Sequence, residues 1–212
     1  IDLLDPKTVE AKKEIYFNEL KAAQLANGAF PWWPGGAPDP YMTLYVLSGL
    51  AEARRYGVEV PGDMIQKALM YVNNEIPLRL KAEEREISIV SFAAYVLTSY
   101  SPKEFPEAQK GHEAARSWAV FLEQNIHAMT PLGKAYLSFT YFRLGDKKKA
   151  ESLLDMAMDG FREDPIAGVY WTPEKYSWVW YSDTVEKHAF FLRTLQELRP
   201  EYKRIPGMVQ WL

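Results

Sequence analysis

The sequence of 212 residues contains no cysteine. This absence excludes disulfide bonds, thiolate metal sites, a cysteine nucleophile and an intramolecular thioester formed by these residues. It leaves the compartment open, because a chain without cysteine is compatible with reducing and oxidising surroundings alike.

Long apolar runs and a dominant charge are also missing. No run approaches the roughly 18 uninterrupted apolar residues that a membrane span requires, and the first residues show no signal-peptide pattern. The formal net charge is −3, and the tight basic run at 147–149 is typical of the solvated start of an outer helix. A nucleic-acid surface needs a clustered cationic field, so we expect no nucleic-acid partner. Because no apolar run is long enough, we also expect no transmembrane segment.

The composition, 48% hydrophobic and 25% charged, is that of a globular domain. We therefore expect one domain over residues 1–212. Because the chain begins with Ile1 and ends within a helix-like Val-Gln-Trp-Leu run, we also expect it to be a piece of a larger multidomain protein.

Helical periodicity alternates along the chain between two kinds of segment. Amphipathic stretches, which we expect to be outer helices, cover 7–26, 62–75, 109–126 and 146–162. Each is followed by a stretch that is apolar on nearly all sides, an inner helix, at 41–55, 87–100, 132–144 and 184–198. A ninth helix is expected to begin near Glu201.

The inner helices start 46, 45 and 52 residues apart, close to the period of arrays of two-helix repeats. Inner helices this apolar should surround one another, with Tyr45, Val90 and Phe139 turned away from water. We therefore predict an all-α fold, an α/α toroid of outer and inner helical hairpins. A closed toroid takes about six such hairpins, and this chain holds about four and a half, so we expect an incomplete or open ring.

Two aromatic loops interrupt this pattern, at 27–40 and 167–182. In the second, near 168–181, we predict a short β-hairpin that pairs Tyr170 and Trp171 with Trp178 and Trp180. The tryptophans are either a platform that stacks a sugar or peptide, or a plug that braces the inner helices. We favour the plug for Trp32, Trp33, Trp178 and Trp180, because the surrounding Pro and Gly suggest a fixed loop packed on the core.

Four runs carry a family resemblance: Gly28-Ala-Phe-Pro-Trp-Trp-Pro-Gly-Gly36, Pro40-Tyr-Met-Thr-Leu-Tyr45, Tyr56-Gly-Val-Glu-Val-Pro61 and Trp178-Val-Trp-Tyr-Ser-Asp-Thr-Val-Glu-Lys-His188. They resemble the thioester-domain region of bacterial alpha-2-macroglobulins. The resemblance implies a complement-type α/α toroid with terpenoid cyclase-like architecture, inside a parent that is periplasmic, or secreted or membrane-anchored on the periplasmic side. It also implies an endopeptidase inhibitor that traps proteases, with target proteases and the other domains of the parent chain as partners.

In that family a thioester joins the Cys and Gln of a Cys-x-Glu-Gln motif, and a lysine of the protease attacks it. This chain has no cysteine, and in relatives the motif lies upstream of the matching region. The resemblance therefore implies a non-catalytic part of the trap, not an enzyme. Thioester relatives also use a downstream histidine to assist transfer, and none of His112, His127 and His188 is matched to it, so we assign no catalytic, cofactor-binding or metal residue and expect no cofactor.

Two alternatives stay open. The first is a carbohydrate-active enzyme or binding module on the same toroid, with Trp33, Trp171 and Trp180 stacking sugar rings and Asp39 or Glu186 as acid or base. The second is an open helical scaffold with an exposed apolar concave surface for a protein partner.

The polar candidates also have structural explanations, which we favour. Asp39 precedes an inner helix, and Asp183 with Glu186 forms a capping box before another. We expect His188 to be a core histidine with its hydrogen bonds satisfied, because Asp183, Glu186 and His188 do not share one helical face for a metal.

Overall fold

A computed structural model describes residues 6–79, 84–171 and 184–212 of the chain. Over these residues it contains helices, two short 3₁₀ segments (Ile76–Arg79 and Ile126–Ala128) and one antiparallel strand pair. In chain order the elements are α1 (Pro6–Ala23), α2 (Pro40–Arg55), α3 (Gly62–Glu75), α4 (Glu84–Leu97), α5 (Pro106–Gln124), α6 (Pro131–Arg143), α7 (Lys147–Met158), β1 (Arg162–Asp164), β2 (Gly168–Tyr170), α8 (Thr184–Leu198) and α9 (Ile205–Trp211).

The prediction of an all-α fold is confirmed, and each predicted helix has its counterpart among the described helices. Most ends lie within three residues of the prediction, and two lie four residues away. The fourth outer helix stops at Met158 instead of 162, because Asp159 leaves the helical region and Gly160 follows with a φ of +78°. The ninth helix begins at Ile205 instead of 201, because Pro200 ends α8 and the chain makes two turns before α9.

Three helix starts are set by side chains that accept a hydrogen bond from a first-turn amide. Asp39 caps α2, Thr130 caps α6 and Asp146 caps α7. Proline follows directly in α2 and α6, where its missing N–H has no helical partner to lose. Local sequence therefore determines where these helices begin.

Burial separates the two kinds of helix that the sequence predicts. Every residue at 89–97 in α4 and at 135–141 in α6 is buried, whereas α7 buries only a stripe: Ala150, Leu153, Leu154, Ala157 and Met158. Val90 and Phe139 are 0% and 3% exposed, as predicted. The prediction is wrong for Tyr45, which is 53% exposed although it lies on α2.

The chain divides into two compact units. The described residues of the first are 6–79 and 96–115, and α2 packs there against α3. Those of the second are 84–95, 116–171 and 184–212, where α6 packs against α7 and α8, and α9 packs against β2. The predicted single domain over 1–212 and its α/α toroid stay predictions. No helix in the described part of the chain combines the length and apolarity needed to cross a membrane.

The strand pair lies in the second unit. Arg162 pairs with Tyr170 and Asp164 with Gly168. In the turn, Asp164 Oδ1 accepts from the amides of Ile166 and Ala167 at 2.8 Å each, and these bonds lower the pKa of its carboxyl. The predicted hairpin paired Tyr170 with a strand later in the sequence. In the structure Tyr170 pairs instead with Arg162, which precedes it. Trp178 and Trp180, the predicted partners, lie outside the described residues.

The start of β2 meets α9 through two glycines. Gly168 has a φ of +83°, and a Cβ on it would lie 2.2 Å from the carbonyl oxygen of Gly207. A Cβ on Gly207 would lie 2.7 Å from Val169 Cγ2. Only glycine permits this backbone approach, which holds the hairpin against α9.

We predict that Gly168→Ala destabilises the protein more than Gly160→Ala does. Both glycines have positive φ, so each substitution introduces about 1–2 kcal/mol of backbone strain. Only at 168 does the new methyl group also collide with backbone, which adds about 1–3 kcal/mol, because a Cβ at 160 meets nothing within 4 Å. Urea unfolding of both variants measures the difference, and equal losses would contradict the close contact.

Candidate functional site

The loop between α1 and α2 is fastened to α3 at Gly28. Gly28 has a φ of +89°, and a Cβ there would lie 2.2 Å from the carbonyl oxygen of Lys67. The side-chain amide of Gln24 donates to the carbonyl oxygens of Gly28 at 3.0 Å and Met64 at 2.9 Å. This end of the loop therefore has a defined position on α3.

The other end of the loop is fastened to α2 through Thr43. The amide of Phe30, a residue only 2% exposed, donates to Thr43 Oγ1 at 2.9 Å, and the Thr43 hydroxyl donates to the Asp39 carbonyl oxygen at 2.7 Å. The amide of Asp39 donates back to the Phe30 carbonyl oxygen at 3.3 Å. No role was predicted for Thr43, whose local signal in the sequence is that it is a polar residue near the start of an apolar helix.

The tryptophans of this loop are exposed. Trp32 is 40% and Trp33 67% exposed, and the buried aromatic ring is that of Phe30. The plug interpretation is therefore wrong for Trp32 and Trp33. Phe30 is the loop aromatic that packs into the core, and it is followed by a turn in which the Gly36 amide donates to the Trp33 carbonyl oxygen. Trp178 and Trp180 lie outside the described residues.

One of these exposed rings, that of Trp32, forms a row with two tyrosines of α2. Trp32 stacks on Tyr41 with ring centroids 5.9 Å apart and planes at 19°, and Tyr41 contacts Tyr45 at 6.3 Å. We call Trp32, Tyr41 and Tyr45 the aromatic face. Exposed aromatic rings in contact with one another are common at binding surfaces.

An open cleft of about 520 Å³ lies in the same unit, beside the end of α2. Its lining includes Arg54, Glu104 and Phe105. Arg54 forms an ion pair with Glu104, and its guanidinium carbon lies 4.9 Å from the centre of the Phe105 ring. The pair joins the end of α2 to the segment before α5, which is a structural use of both charges.

The described part of the second aromatic loop ends at Trp171, which is 4% exposed. Its amide donates to His188 Nε2 at 2.8 Å, and its indole N–H donates to the Met158 carbonyl oxygen at 3.3 Å. Its ring packs edge-on against Phe191, with centroids 4.8 Å apart. Trp171 is therefore not available to stack on a sugar ring, as the carbohydrate alternative required.

His188 is a core histidine, as predicted. It is 1% exposed, and its ring stacks on Trp211 with centroids 3.9 Å apart. Because a backbone amide can only donate, Nε2 carries the lone pair, and Nδ1 donates to the Thr184 carbonyl oxygen at 2.5 Å. Burial lowers the pKa of His188, opposed by the bond to Thr184 and aided by the charge of Lys187. The geometry therefore holds His188 neutral.

The two candidate carboxylates in the described residues, Asp39 and Glu186, lie on different helices. Asp39 is the N-cap of α2, as predicted, and its Oδ1 accepts from the amide of Met42 at 2.8 Å. Glu186 is exposed in the first turn of α8, and Asp183 lies outside the described residues. Within the described ranges, no group of three His, Asp or Glu side chains is placed to hold a metal ion.

A cation–aromatic cluster in the second unit was not foreseen. Arg143 donates to the Tyr95 carbonyl oxygen at 2.8 Å, and Arg193 donates to the Tyr95 hydroxyl at 2.7 Å. The guanidinium carbons of Arg143 and Arg193 lie 4.3 Å and 5.4 Å from the centre of the Phe139 ring, and Phe190 packs edge-on against Tyr95. The cluster joins α4, α6 and α8. The sequence signal that could have predicted this cluster is the presence of Arg143 and Arg193 next to apolar runs.

A second unforeseen cluster joins α5, α6 and α7. The Tyr141 hydroxyl donates to Glu123, and Lys149 Nζ lies 2.7 Å from the same carboxylate. Burial and the Glu123 carboxylate raise the pKa of Tyr141 to about 12. Like the caps and His188, this cluster uses its ionisable groups to hold helices together.

Neither a protein-family model nor a curated protein matches the sequence. Solved structures do match. Trypsin-activated alpha-2-macroglobulin from Escherichia coli matches with a TM-score of 0.69 at 19% identity, over 97% of this chain and 13% of that chain. Salmonella alpha-2-macroglobulin reacted with methylamine matches with a TM-score of 0.68 at 19% identity, over 96% and 13%.

A third structure locates the match along the macroglobulin chain. Native Escherichia coli alpha-2-macroglobulin spanning domain MG7 to the C-terminus matches with a TM-score of 0.66 at 21% identity, over 95% of this chain and 30% of that one. The chain has a bacterial alpha-2-macroglobulin fold. The predicted resemblance is thus confirmed at the level of the fold, and the matched region lies between MG7 and the C-terminus. The chain spans about an eighth of the longer macroglobulin chains that it matches.

We predict that Asp39 stabilises α2 of this macroglobulin-type fold as a cap and not through its charge. Asp39→Ala should lower the free energy of unfolding by about 1 kcal/mol, whereas Asp39→Asn, which retains an accepting oxygen, should be nearly neutral. Urea denaturation checks both variants. An Asn variant as unstable as the Ala variant would contradict the capping role.

We also predict that His188 makes stability depend on pH. Its pKa is lowered by folding, so the unfolded chain binds more protons below the ordinary histidine pKa of about 6.5. The stabilisation is therefore complete above about pH 6.5 and is lost as the pH falls further. The advantage of the wild type over His188→Gln in free energy of unfolding should shrink between pH 7.5 and pH 5.

His127→Gln is the matched control, because it removes an exposed imidazole from the same unit. Urea unfolding at several pH values compares the three proteins. An advantage over His188→Gln that stays constant with pH would show that His188 is not held neutral.

Proposed function

We propose that this chain is part of the thioester-type helical domain of a bacterial alpha-2-macroglobulin-like protein that traps proteases, and that its own residues form a non-catalytic packing element. The observation that carries the proposal is the match to macroglobulin structures over 95–98% of the chain, with TM-scores of 0.66–0.69. The Gly28-Ala-Phe-Pro-Trp-Trp and Trp178-Val-Trp-Tyr-Ser runs support the same assignment.

The missing cysteine defines what these residues contribute. A thioester needs a cysteine sulfur, and the 212 residues contain none. A covalent step in the parent protein would therefore use residues outside this chain. The contribution of this chain to capture is mechanical: it forms contacts in the intact protein that change when a protease cuts elsewhere.

The engaged state of the polar groups supports a non-catalytic role. Asp39 is bound by an amide as a helix cap, His188 is neutral between two tryptophans, and Glu123 is held by Tyr141 and Lys149. A general acid or base needs a group that can reach a substrate proton. The same facts weigh against the carbohydrate enzyme that the sequence left open.

The mechanism that we propose is a shift between two states of the parent. Contacts of this domain favour the intact state, and a cut in a bait segment removes part of them, so that the domain moves towards the protease. Among the matched structures, Escherichia coli alpha-2-macroglobulin has been solved as activated by trypsin and by porcine elastase. We infer a periplasmic location and target proteases by the same likeness.

The test uses the full-length parent protein and trypsin. After one equivalent of protein is mixed with trypsin, we expect hydrolysis of casein to fall at least about tenfold while hydrolysis of a small chromogenic peptide is retained. A cage around the protease excludes a large substrate and admits a small one. Heat-denatured parent protein is the control. Equal residual activity on both substrates would contradict protease trapping.

Methylamine distinguishes the two forms of trapping. A parent with a thioester outside this chain should incorporate methylamine and, without that treatment, form a covalent adduct with trypsin visible on a denaturing gel. Without incorporation, we expect non-covalent capture. Retention on polysaccharide beads by a protein that leaves trypsin unimpeded would support the carbohydrate alternative.

A further inference from the structure

Three elements of the second unit meet at one imidazole ring, that of His188 on α8. The Trp171 amide, directly after β2, donates to its Nε2 at 2.8 Å, and its Nδ1 donates to the Thr184 carbonyl oxygen at 2.5 Å. Trp211 of α9 stacks on the ring with centroids 3.9 Å apart. We call His188, Trp171, Thr184 and Trp211 the histidine junction. Both ring nitrogens are in use, one as acceptor and one as donor.

A second proton on the ring is incompatible with one of these bonds. A protonated imidazole donates at both nitrogens and accepts at neither. The Nε2 proton and the Trp171 amide proton would then point at each other across 2.8 Å, at a site where His188 is 1% and Trp171 4% exposed. Two facing donors lose their hydrogen bond and repel each other, so one of them has to move.

The other contacts of the ring favour its staying on α8 and α9. The bond to the Thr184 carbonyl oxygen needs a proton on Nδ1, which the protonated ring retains. The stack on Trp211 is strengthened, because the face of an indole ring attracts a cation. The group that leaves is therefore the Trp171 amide.

Contacts around Trp171 limit how far this change extends. Before it, the close approach of Gly168 to Gly207 fixes the start of β2 against α9, and β2 is paired with β1. The Trp171 indole N–H donates to the Met158 carbonyl oxygen at 3.3 Å, a bond that does not involve the imidazole. Release of the amide is therefore a local opening at the end of β2, smaller than unfolding of the unit.

The charges around the junction oppose a protonated ring in the closed state. Lys187, beside His188 on α8, is 3% exposed, and its charge disfavours a second cation, as burial of the ring also does. Among the described residues no carboxylate is bonded to the imidazole: Asp155 binds Arg199, Glu163 binds Arg204, and Asp164 binds turn amides. The charged side chains on the surrounding elements are Glu186 and Lys187 on α8, Asp155 on α7, Asp159 after it, Arg162, Glu163 and Asp164 on β1, and Arg204 before α9.

We propose that the histidine junction is an acid-sensitive switch, in which a proton taken up from solvent by Nε2 of His188 releases the Trp171 amide from α8 and leaves the contacts with Thr184 and Trp211 in place. The junction is closed above about pH 6.5, the ordinary pKa of histidine, and opens increasingly as the pH falls below it. The switch is a property of this unit, and it stands whether or not the parent protein traps proteases.

The test is hydrogen–deuterium exchange of the full-length parent protein between pH 7.5 and pH 5, with protection expressed relative to the unstructured rate at each pH. Mass spectrometry with electron-transfer fragmentation assigns the deuterium to the Trp171 amide. Because each opening takes up one proton, the protection of this amide should fall by up to about tenfold per pH unit below about pH 6.5. Protection that does not change with pH would overturn the proposal.

A second amide in the same experiment separates local opening from unfolding. Leu154 is 0% exposed in the middle of α7, so its amide exchanges when the unit unfolds. At pH 5.5 the protection of the Trp171 amide should be at least about tenfold lower than that of the Leu154 amide. Equal protection of the two amides would show that Trp171 is released only by unfolding, and the switch would be wrong.

Two variants assign the effect to His188. His188→Gln removes the titrating group and keeps a side-chain oxygen that can accept from the Trp171 amide, so its protection at Trp171 should not depend on pH. His127→Gln, which removes an exposed imidazole, should behave as the wild type. The same pH dependence in His188→Gln as in the wild type would overturn the proposal. If circular dichroism shows that His188→Gln is unfolded, the wild-type profile and the Leu154 reference decide the outcome.

Discussion

Helices that are apolar on every side need neighbours on every side, and most of this structure follows from that requirement. In α4 and α6 it is met, since every residue at 89–97 and 135–141 is buried. The amphipathic α7 covers its share of the core with one stripe. In α2 the requirement is not met, because Tyr45 is half exposed in a helix without a polar face. The exception is informative because the rule holds elsewhere.

Polar groups in the second unit serve the same packing. His188 is neutral because a backbone donor occupies its Nε2 and two tryptophans flank its ring. Arg143 and Arg193 form cation–π contacts with the Tyr95 and Phe139 rings and donate hydrogen bonds to Tyr95 oxygens. These contacts join α4, α6 and α8 within the unit.

The similarity of the fold and the chemistry of the described residues are independent observations that support each other. The match to bacterial alpha-2-macroglobulins rests on the backbone, at 19–21% identity. The engaged state of Asp39, Glu123 and His188 rests on individual side chains. The proposal of a packing element in a larger protein draws on both, together with the absence of cysteine.

Local features were predictable from the sequence. The helices, the Asp39 cap and the burial of His188 depend on periodicity and on neighbours within one turn, and all were predicted. The outward position of Trp32 and Trp33, the exposure of Tyr45 and the pairing of Tyr170 with Arg162 were not. Periodicity reports how many sides of a segment avoid water, but which side has a neighbour depends on contacts between residues far apart in sequence, and only the tertiary structure decides them.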